Sequence, residues 1–363
     1  MYNATPRGAP ICCILPPYIL ESVAVAGQQH AAESASRTLR TDLGFRIART
    51  IPTLSASPTP QSSTARSAAF SVAVSQIQRT IYNARNTQTL PGDVSRAEGS
   101  PATGDVALDE AYDGLGSTYN FFFEIFQRDS IDNKGLELKA SAHYGADYNN
   151  AFWNGQQMVF GDGDGQVFNR FTLALDVIGH ELTHGVTQSQ VVLAPIFQPG
   201  SLNESISDVF GSMIKQRTLN QDARSADWLI GAGLFTANVK GVALRSMKDP
   251  GSAYDDPVLG KDPQPKHMRD FVHTVQDHGG VHVNCSIPNH AFYLIATNLG
   301  GFAWEKAGRI WYETLIDPRM SHHMMFQTFA QLTLSNAVRL YGNGSQEVQA
   351  VQDGWSQVGI NAQ

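Results

Sequence analysis

The sequence predicts an α+β protein of two lobes, the first mixing strands with helices and the second mainly helical. Three observations carry that expectation. A chain of 363 residues is long enough for more than one core. Short, turn-rich stretches crowd the region before Phe171, among them "NNAFWNGQQMVFGDGDG". From Phe171 to Gln363 the character is mostly helical, with loops near 217–223 and 248–266. No internal repeat is seen.

Taken in order, residues 1–51 form a short leader. It holds the apolar run "ICCILPPYIL" (11–20), within which "CCILPPY" is expected to be extended by its prolines, and a predicted helix over "SASRTLRTDLGFRIART". Residues 52–68 are rich in Ser, Thr, Pro and Ala, bury little apolar area and read as an exposed linker open to proteolysis. A first lobe is expected over 69–189. In it "VAVSQIQRTIYNA" alternates like a strand, "DVALDEAYDGLGSTYNFFFEIFQR" (105–128) reads as a long helix, and "GLELKASAHYG" and "NAFWNGQQMVFG" read as hairpin strands before the turn "GDGDGQ". The second, helical lobe is expected over 190–363.

Composition narrows the partners. A formal net charge of −7 with no basic run argues against nucleic acid and leaves proteins, peptides or small molecules. The run 11–20 is too short to span a bilayer, is broken by Pro16 and Pro17, and lacks the basic flank and clean cleavage site of a signal peptide. The expectation is therefore no membrane span, and a location that is cytoplasmic or reached by non-classical export. Cys12, Cys13 and Cys285 are too few for a disulfide framework and read as thiols.

The chemistry concentrates in "ALDVIGHELTHGVTQ" (174–188). Written as a helix from Phe171 to Val186, Phe171, Leu175, Ile178, Leu182 and Val186 make an apolar stripe. Asp176, His180 and His184 then fall on another face, one turn apart, and imidazoles about 6 Å apart can converge on one ion. HExxH arises by chance only roughly 0.01 times in such a chain, though it also occurs without metal. Twenty residues beyond His184, "SLNESISDVFG" (201–211) supplies Glu204 and Asp208 on one helix face. Two His and one Glu are a ligand set that leaves zinc a position for water, with Glu204 third and Asp208 accepting a ring N–H from one of the histidines. The competing reading makes Ser201-x-x-Glu204 a capping box at a helix start.

HExxH followed at this distance by NExxxD resembles the thermolysin family of zinc metallopeptidases. The similarity continues over about 105–363 through "NNAFWNGQQMVFGDGDG", "ALRSM" and "DHGGVHVN". The short leader with "PPYIL" is similar to that of protealysin and its relatives. The resemblance implies a two-lobed fold with one zinc in the cleft, held by His180, His184 and Glu204, and Glu181 as the base. It further implies that His282, oriented by Asp277, donates to the oxyanion. Asn150, Ala151 and Arg245 would hold the substrate backbone, and Val177, Leu244 and Phe168 would line a pocket for a bulky apolar side chain beyond the scissile bond.

Departures from the family pattern add expectations. Pro195 stands where members often carry an oxyanion-stabilising Tyr nine residues before the third ligand. Of the acids that build the paired calcium site, Asp176 and Asp227 are present, but Lys215, Leu229 and Ala232 replace others. The double calcium site is therefore expected to be lost, with the lysine ammonium beside Asp176 taking the ion's place. His278 forms a second His-x-x-x-His with His282, but the glycines between them suggest a loop rather than a second metal site. The leader is expected to lie in the cleft as an intramolecular inhibitor, with Cys12 or Cys13 as a conceivable thiolate ligand. The whole reads as a zinc endopeptidase made as a latent precursor. The rivals are a catalytically silent zinc-binding homologue and a non-enzymatic interaction module.

Overall fold

The computed structural model describes residues 13–50 and 76–363. The linker at 52–68 and Cys12 lie outside the described residues. The leader folds as a helical hairpin, α1 (Pro17–Ala26) and α2 (Gln29–Thr50). Pro17 sits in the first turn of α1, where a proline's fixed φ and missing N–H cost nothing. The expectation of an extended "CCILPPY" is thus corrected at its end: the extended part stops at Pro16, and Pro17 and Tyr18 are helical.

A five-stranded sheet opens the body, in the order β2 (Asp93–Ala97), β1 (Arg79–Asn83), β3 (Leu138–Ala142), β5 (Met158–Phe160), β4 (Ala151–Trp153). β3 runs parallel to β1 and β5, while β4 and β5 form the predicted antiparallel hairpin. β2 was not predicted, because "DVSRA" carries a single apolar side chain of strand type, Val94, and that one is exposed. Across the sheet lies α3 (Val106–Phe126), where the sequence places it. Asp105 caps it by accepting from the amides of Ala107 and Leu108, and Phe121, Phe122 and Phe126 enter the core.

Two long helices join the lobes. The helix expected from Phe171 starts later: 171–173 is a single 3₁₀ turn, Ala174 is extended, and α4 is Leu175–Gln190. The apolar stripe survives the break, since Phe171 is buried all the same. α5 (Phe197–Thr218) crosses α4 where Gly179 meets Gly211. A Cβ on Gly211 would lie 2.3 Å from the Asp176 carbonyl oxygen, so glycine there is what lets the backbones close. That closeness brings Glu204 beside the HExxH face. Ser201 lies inside α5 rather than at its start, which removes the capping-box reading.

Two short ribbons follow, β6 (Leu229–Ile230) with β7 (Arg245–Ser246) and β8 (Asp255–Asp256) with β9 (Gly260–Lys261). The rest is helical: α6 (Asp277–Asn284), α7 (Ser286–Leu299), α8 (Ala307–Leu315), α9 (Phe326–Tyr341) and α10 (Gln346–Gln357). Trp311 and Trp355 stack in the core of this half, centroids 5.9 Å apart. Among the described residues no helix is long and apolar enough to cross a membrane.

Candidate metal centre and peptide cleft

His180 and His184, one turn apart on α4, present their Nε2 atoms 3.0 Å from each other. Glu204 Oε2, from α5, lies 3.4 Å from the first and 3.7 Å from the second. All three residues are buried, and among the described residues this is the one group of three or more such side chains whose ligand atoms converge. The far side of each ring is engaged. His180 Nδ1 meets Asp208 Oδ1 at 2.8 Å, and His184 Nδ1 meets Ser207 Oγ at 3.1 Å. With the outer nitrogens donating, two bare lone pairs and a carboxylate oxygen without a hydrogen-bond partner face one point in the interior. Such a set is repulsive unless a cation sits among it. The separations bracket about 3.4 Å, the spacing of ligand atoms around tetrahedral zinc with bonds of about 2.1 Å. The residues fit a zinc ion.

Protonation follows from burial and neighbours. Burial works against charge on His180, but Asp208 and Glu204 outweigh it and raise its pKa to about 9. Burial dominates at His184 and lowers it to about 4, with Glu204 opposing. Asp208, which burial would raise, is brought down to about 2 by Arg245 and His180.

Glu181 follows His180 on α4 but is not part of the ligand set. Its Oε2 accepts from the Trp153 amide at 3.0 Å, while Oε1 is buried without a partner. Burial raises its pKa to about 8; the charge of Glu204 adds to this, while His180 and His282 work against it. That is the range in which a carboxylate exchanges protons readily near neutral pH.

The opposite wall comes from α6. Here His278, Gly279 and Gly280 adopt left-handed backbone (φ 54°, 92° and 74°), so the segment begins as a loop, as its glycines predict. The turn brings Asp277 back to His282, whose Nδ1 it meets at 2.7 Å and whose amide it accepts at 2.8 Å. His282 Nε2 is then held 3.3 Å from Glu204 Oε2. Asp277 raises His282 to about 10 against the burial that would lower it, with Glu204 contributing. His278 is not in the metal group. Cys285 is buried, its thiol donating to the His282 carbonyl, and burial pushes its pKa well up.

Arg245 grips Asp208 with two hydrogen bonds, 2.8 Å from Nε and 2.7 Å from a terminal nitrogen. Asn289 donates to the same carboxylate at 2.8 Å. Asp208 therefore ties His180 to Arg245, a link the sequence reading did not make.

The leader occupies the cleft between these walls. Cys13 pairs with Phe152 antiparallel to β4, and the Ile14 amide donates to the Ala151 carbonyl at 3.3 Å. Asn150 Oδ1 accepts from the Leu15 amide at 3.0 Å, and Arg245 donates to the Ile14 carbonyl at 3.1 Å. The Cys13 carbonyl lies 3.0 Å from His282 Nε2. Ile14 and Leu15 are fully buried in the same apolar cluster as Val177, Leu244 and Phe168. The Cys13 side chain turns the other way, among Ala84, Tyr144, Tyr148, Phe152 and Val159. Its backbone, not its thiol, faces the metal group. The thiolate expectation is corrected for Cys13, and Cys12 lies outside the described residues.

Sequence reasoning missed how α2 clamps this arrangement. Asp42, buried, accepts from the Tyr148 hydroxyl at 2.5 Å and from Asn150 Nδ2 at 2.9 Å. Thr38 Oγ1 accepts from the Asn149 amide at 3.0 Å, and Ser34 donates to the Asp147 carbonyl at 2.6 Å. No local pattern flags Asp42, because its partners lie more than 100 positions away.

At the expected calcium position, Lys215 Nζ lies 2.9 Å from Asp176 Oδ2 and 3.0 Å from Asp227 Oδ1, and donates to the Leu229 carbonyl at 2.6 Å. An ammonium fills the place between the two acids.

Two family models divide the chain: "Thermolysin metallopeptidase, catalytic domain" matches residues 62–188 and "Thermolysin metallopeptidase, alpha-helical domain" matches 195–360. An extracellular metalloprotease of Pectobacterium carotovorum subsp. carotovorum is 49% identical over 354 residues, 98% of each chain. Protease PrtS of Photorhabdus sp. is 47% identical over 349 residues, 96% of this chain and 91% of that one. Among solved structures, the precursor of protealysin from Serratia proteamaculans aligns with a TM-score of 0.85 at 49% identity, over 96% of this chain and 99% of that chain. The chain belongs to the thermolysin family and is a zinc metalloendopeptidase.

Proposed function

We propose that this endopeptidase is made as a latent precursor, cuts on the amino side of bulky apolar residues, and uses His180, His184 and Glu204 to hold its zinc. Bound there, zinc supplies a Lewis acid for the peptide carbonyl and an acidified water. Glu181, whose Oε1 is buried without a partner beside these residues, would serve as the general base and then hand the proton to the leaving amine. His282, held by Asp277, donates to the developing oxyanion, and Asn150, Ala151 and Arg245 align the substrate backbone. Pro195 offers no donor, so the loss of that contribution, roughly 10²–10³ in rate where such donors have been removed, falls on zinc and His282 to offset.

The observation that carries this reading is the leader's Cys13–Leu15 segment lying along β4 with a carbonyl at His282. It supports residues 1–51 as an inhibitory propeptide, cut away within 52–68 from a body of two lobes, 69–189 and 190–363. Full burial of the apolar Ile14 side chain, directly after the carbonyl at His282, supports the apolar preference. Lys215 between Asp176 and Asp227 supports loss of the double calcium site. The Pectobacterium relative is named an extracellular metalloprotease, which supports secretion by analogy.

Glu181→Gln tests the assignment. The variant should bind one zinc per chain yet lose peptide turnover by orders of magnitude. Retention of most activity would remove Glu181 from the reaction.

A further inference from the structure

The leader segment does more than fill space. Of its carbonyls at Cys13, Ile14 and Leu15, the first faces His282 Nε2 at 3.0 Å, the second Arg245 at 3.1 Å and the third Asn150 Nδ2 at 3.5 Å. Only the Cys13 carbonyl meets a group that itself touches the ligand set, since His282 Nε2 is 3.3 Å from Glu204 Oε2. The next amide, of Ile14, is engaged with Ala151 on the strand whose Trp153 amide holds Glu181. One peptide bond therefore has its carbonyl at the metal side and its nitrogen on the strand that positions the base. Side chains alternate to match, Cys13 toward Tyr148 and Phe152 and Ile14 toward the buried apolar cluster.

We propose that the Cys13–Ile14 bond is held in the register of a substrate, and that the latent chain hydrolyses it slowly in cis without losing latency. The proposal rests on the peptidase reading above. Water oxygen bonds to the Cys13 carbonyl carbon, the C–N bond to Ile14 breaks, and the products are a Cys13 carboxylate and an Ile14 amine that takes up a proton. Slowness and retained latency have one cause, which is that everything on the amine side stays fixed. Ile14 and Leu15 keep Arg245 and Asn150, α1 keeps Ile19, Leu20 and Val23 buried, and α2 keeps Ser34, Thr38 and Asp42 on the body. An amine that cannot leave reforms the bond more often than it escapes.

The test uses the zinc-loaded full chain, followed by intact mass and N-terminal analysis alongside hydrolysis of a quenched peptide. Expected is a species beginning at Ile14, with residues 14–50 still attached or bound. It should form at a rate unchanged over a 100-fold range of protein concentration, and be lost in Glu181→Gln and in Ile14→Asp. A readout without turnover uses full-length Glu181→Gln carrying ¹³C-carbonyl cysteine: zinc addition should shift one labelled C=O stretch to lower frequency, and Cys13→Ser should remove that band. Peptide hydrolysis with the Cys13–Ile14 bond intact, a nick whose rate scales with concentration, or no shifted band would overturn the register. No hydrolysis of any peptide once the linker has been cut and the leader removed would instead overturn the peptidase reading on which it rests.

Discussion

Replacing Lys215 by Met tests whether an internal ammonium has taken over a cation's place. Lys215 is nearly buried and Asp176 is 1% exposed, so the pair is shielded from water. Burial works against charge on Lys215, but Asp176 and Asp227 outweigh it and raise its pKa. Met preserves most of the volume and removes the charge. Asp176 then keeps only the Val177 amide at 2.9 Å and the Gly231 amide at 3.2 Å, which do not neutralise it. Removing one partner of a buried pair costs roughly 3–5 kcal/mol. At about 2–3 °C per kcal/mol for a large domain, the midpoint should fall by about 6–15 °C. Differential scanning calorimetry on a Glu181→Gln background, which suppresses self-digestion, measures it. The same linkage sets a pH dependence. Because the folded pKa is raised, the stabilisation is complete below the unfolded value of about 10.4 and is lost as pH rises through the folded one. The Lys215→Met variant should lose this alkaline limb. A drop below about 2 °C, or a large fall of the parent's midpoint in a calcium-selective chelator, would refute the replacement of calcium by lysine.

Asp42→Ala should unlock the precursor. It strips a buried acceptor from the Tyr148 hydroxyl and from Asn150 at once. At about 1.5–3 kcal/mol for a hydrogen bond to a charged group, the full chain's basal peptide hydrolysis should rise on the order of 100-fold before any linker cleavage; unchanged latency would make α2 a passive tether. Asp208→Asn leaves the volume but breaks the charge that His180 and Arg245 share. Zinc affinity, read by competition with a chelating dye, should weaken about 10–100-fold, and KM for peptides should rise as Arg245 loosens. Wild-type zinc affinity would show that His180 needs no such orientation.

The grouping of His180, His184 and Glu204 was legible because helical phase is local. HExxH puts two imidazoles one turn apart on one face of a helix, and Glu204 with Asp208 places two carboxylates one turn apart on the next. What phase cannot say is how near two helices come. Gly179 and Gly211 set that distance, and in sequence they are only two glycines among 32. Asp277 and His282 could be paired by resemblance, yet the left-handed run from His278 to Gly280 that folds one back onto the other is a backbone fact. The leader was read least well. Pro16 and Pro17 signalled extension, but the second proline opens α1, since proline disrupts a helix interior and not its first turn. The Cys13 thiol attracted attention as a ligand because sequence shows side chains; in the structure the atom that matters is its carbonyl oxygen.

Contacts of this kind do not by themselves distinguish an inhibitor from a good substrate. The backbone hydrogen bonds of Cys13–Leu15 and the burial of two apolar side chains are available to any extended peptide of similar sequence. What sets the leader apart is attachment: α1 and α2 dock on the body, and the covalent link through 51–75 holds the segment near its site at an effective concentration that for such tethers is on the order of mM. Cutting the linker changes none of the contacts at the cleft. It changes only the reference state, so the leader becomes a separate ligand competing at its bulk concentration. Activation should then have two stages, scission without a proportionate gain in activity and a gain that follows dilution or destruction of the leader. Peptide hydrolysis per cut chain should rise as freshly cut protein is diluted, and fall again when a synthetic leader is added back. If activity per cut chain is instead complete at scission and independent of dilution, latency resides in the linker and not in the docked helices.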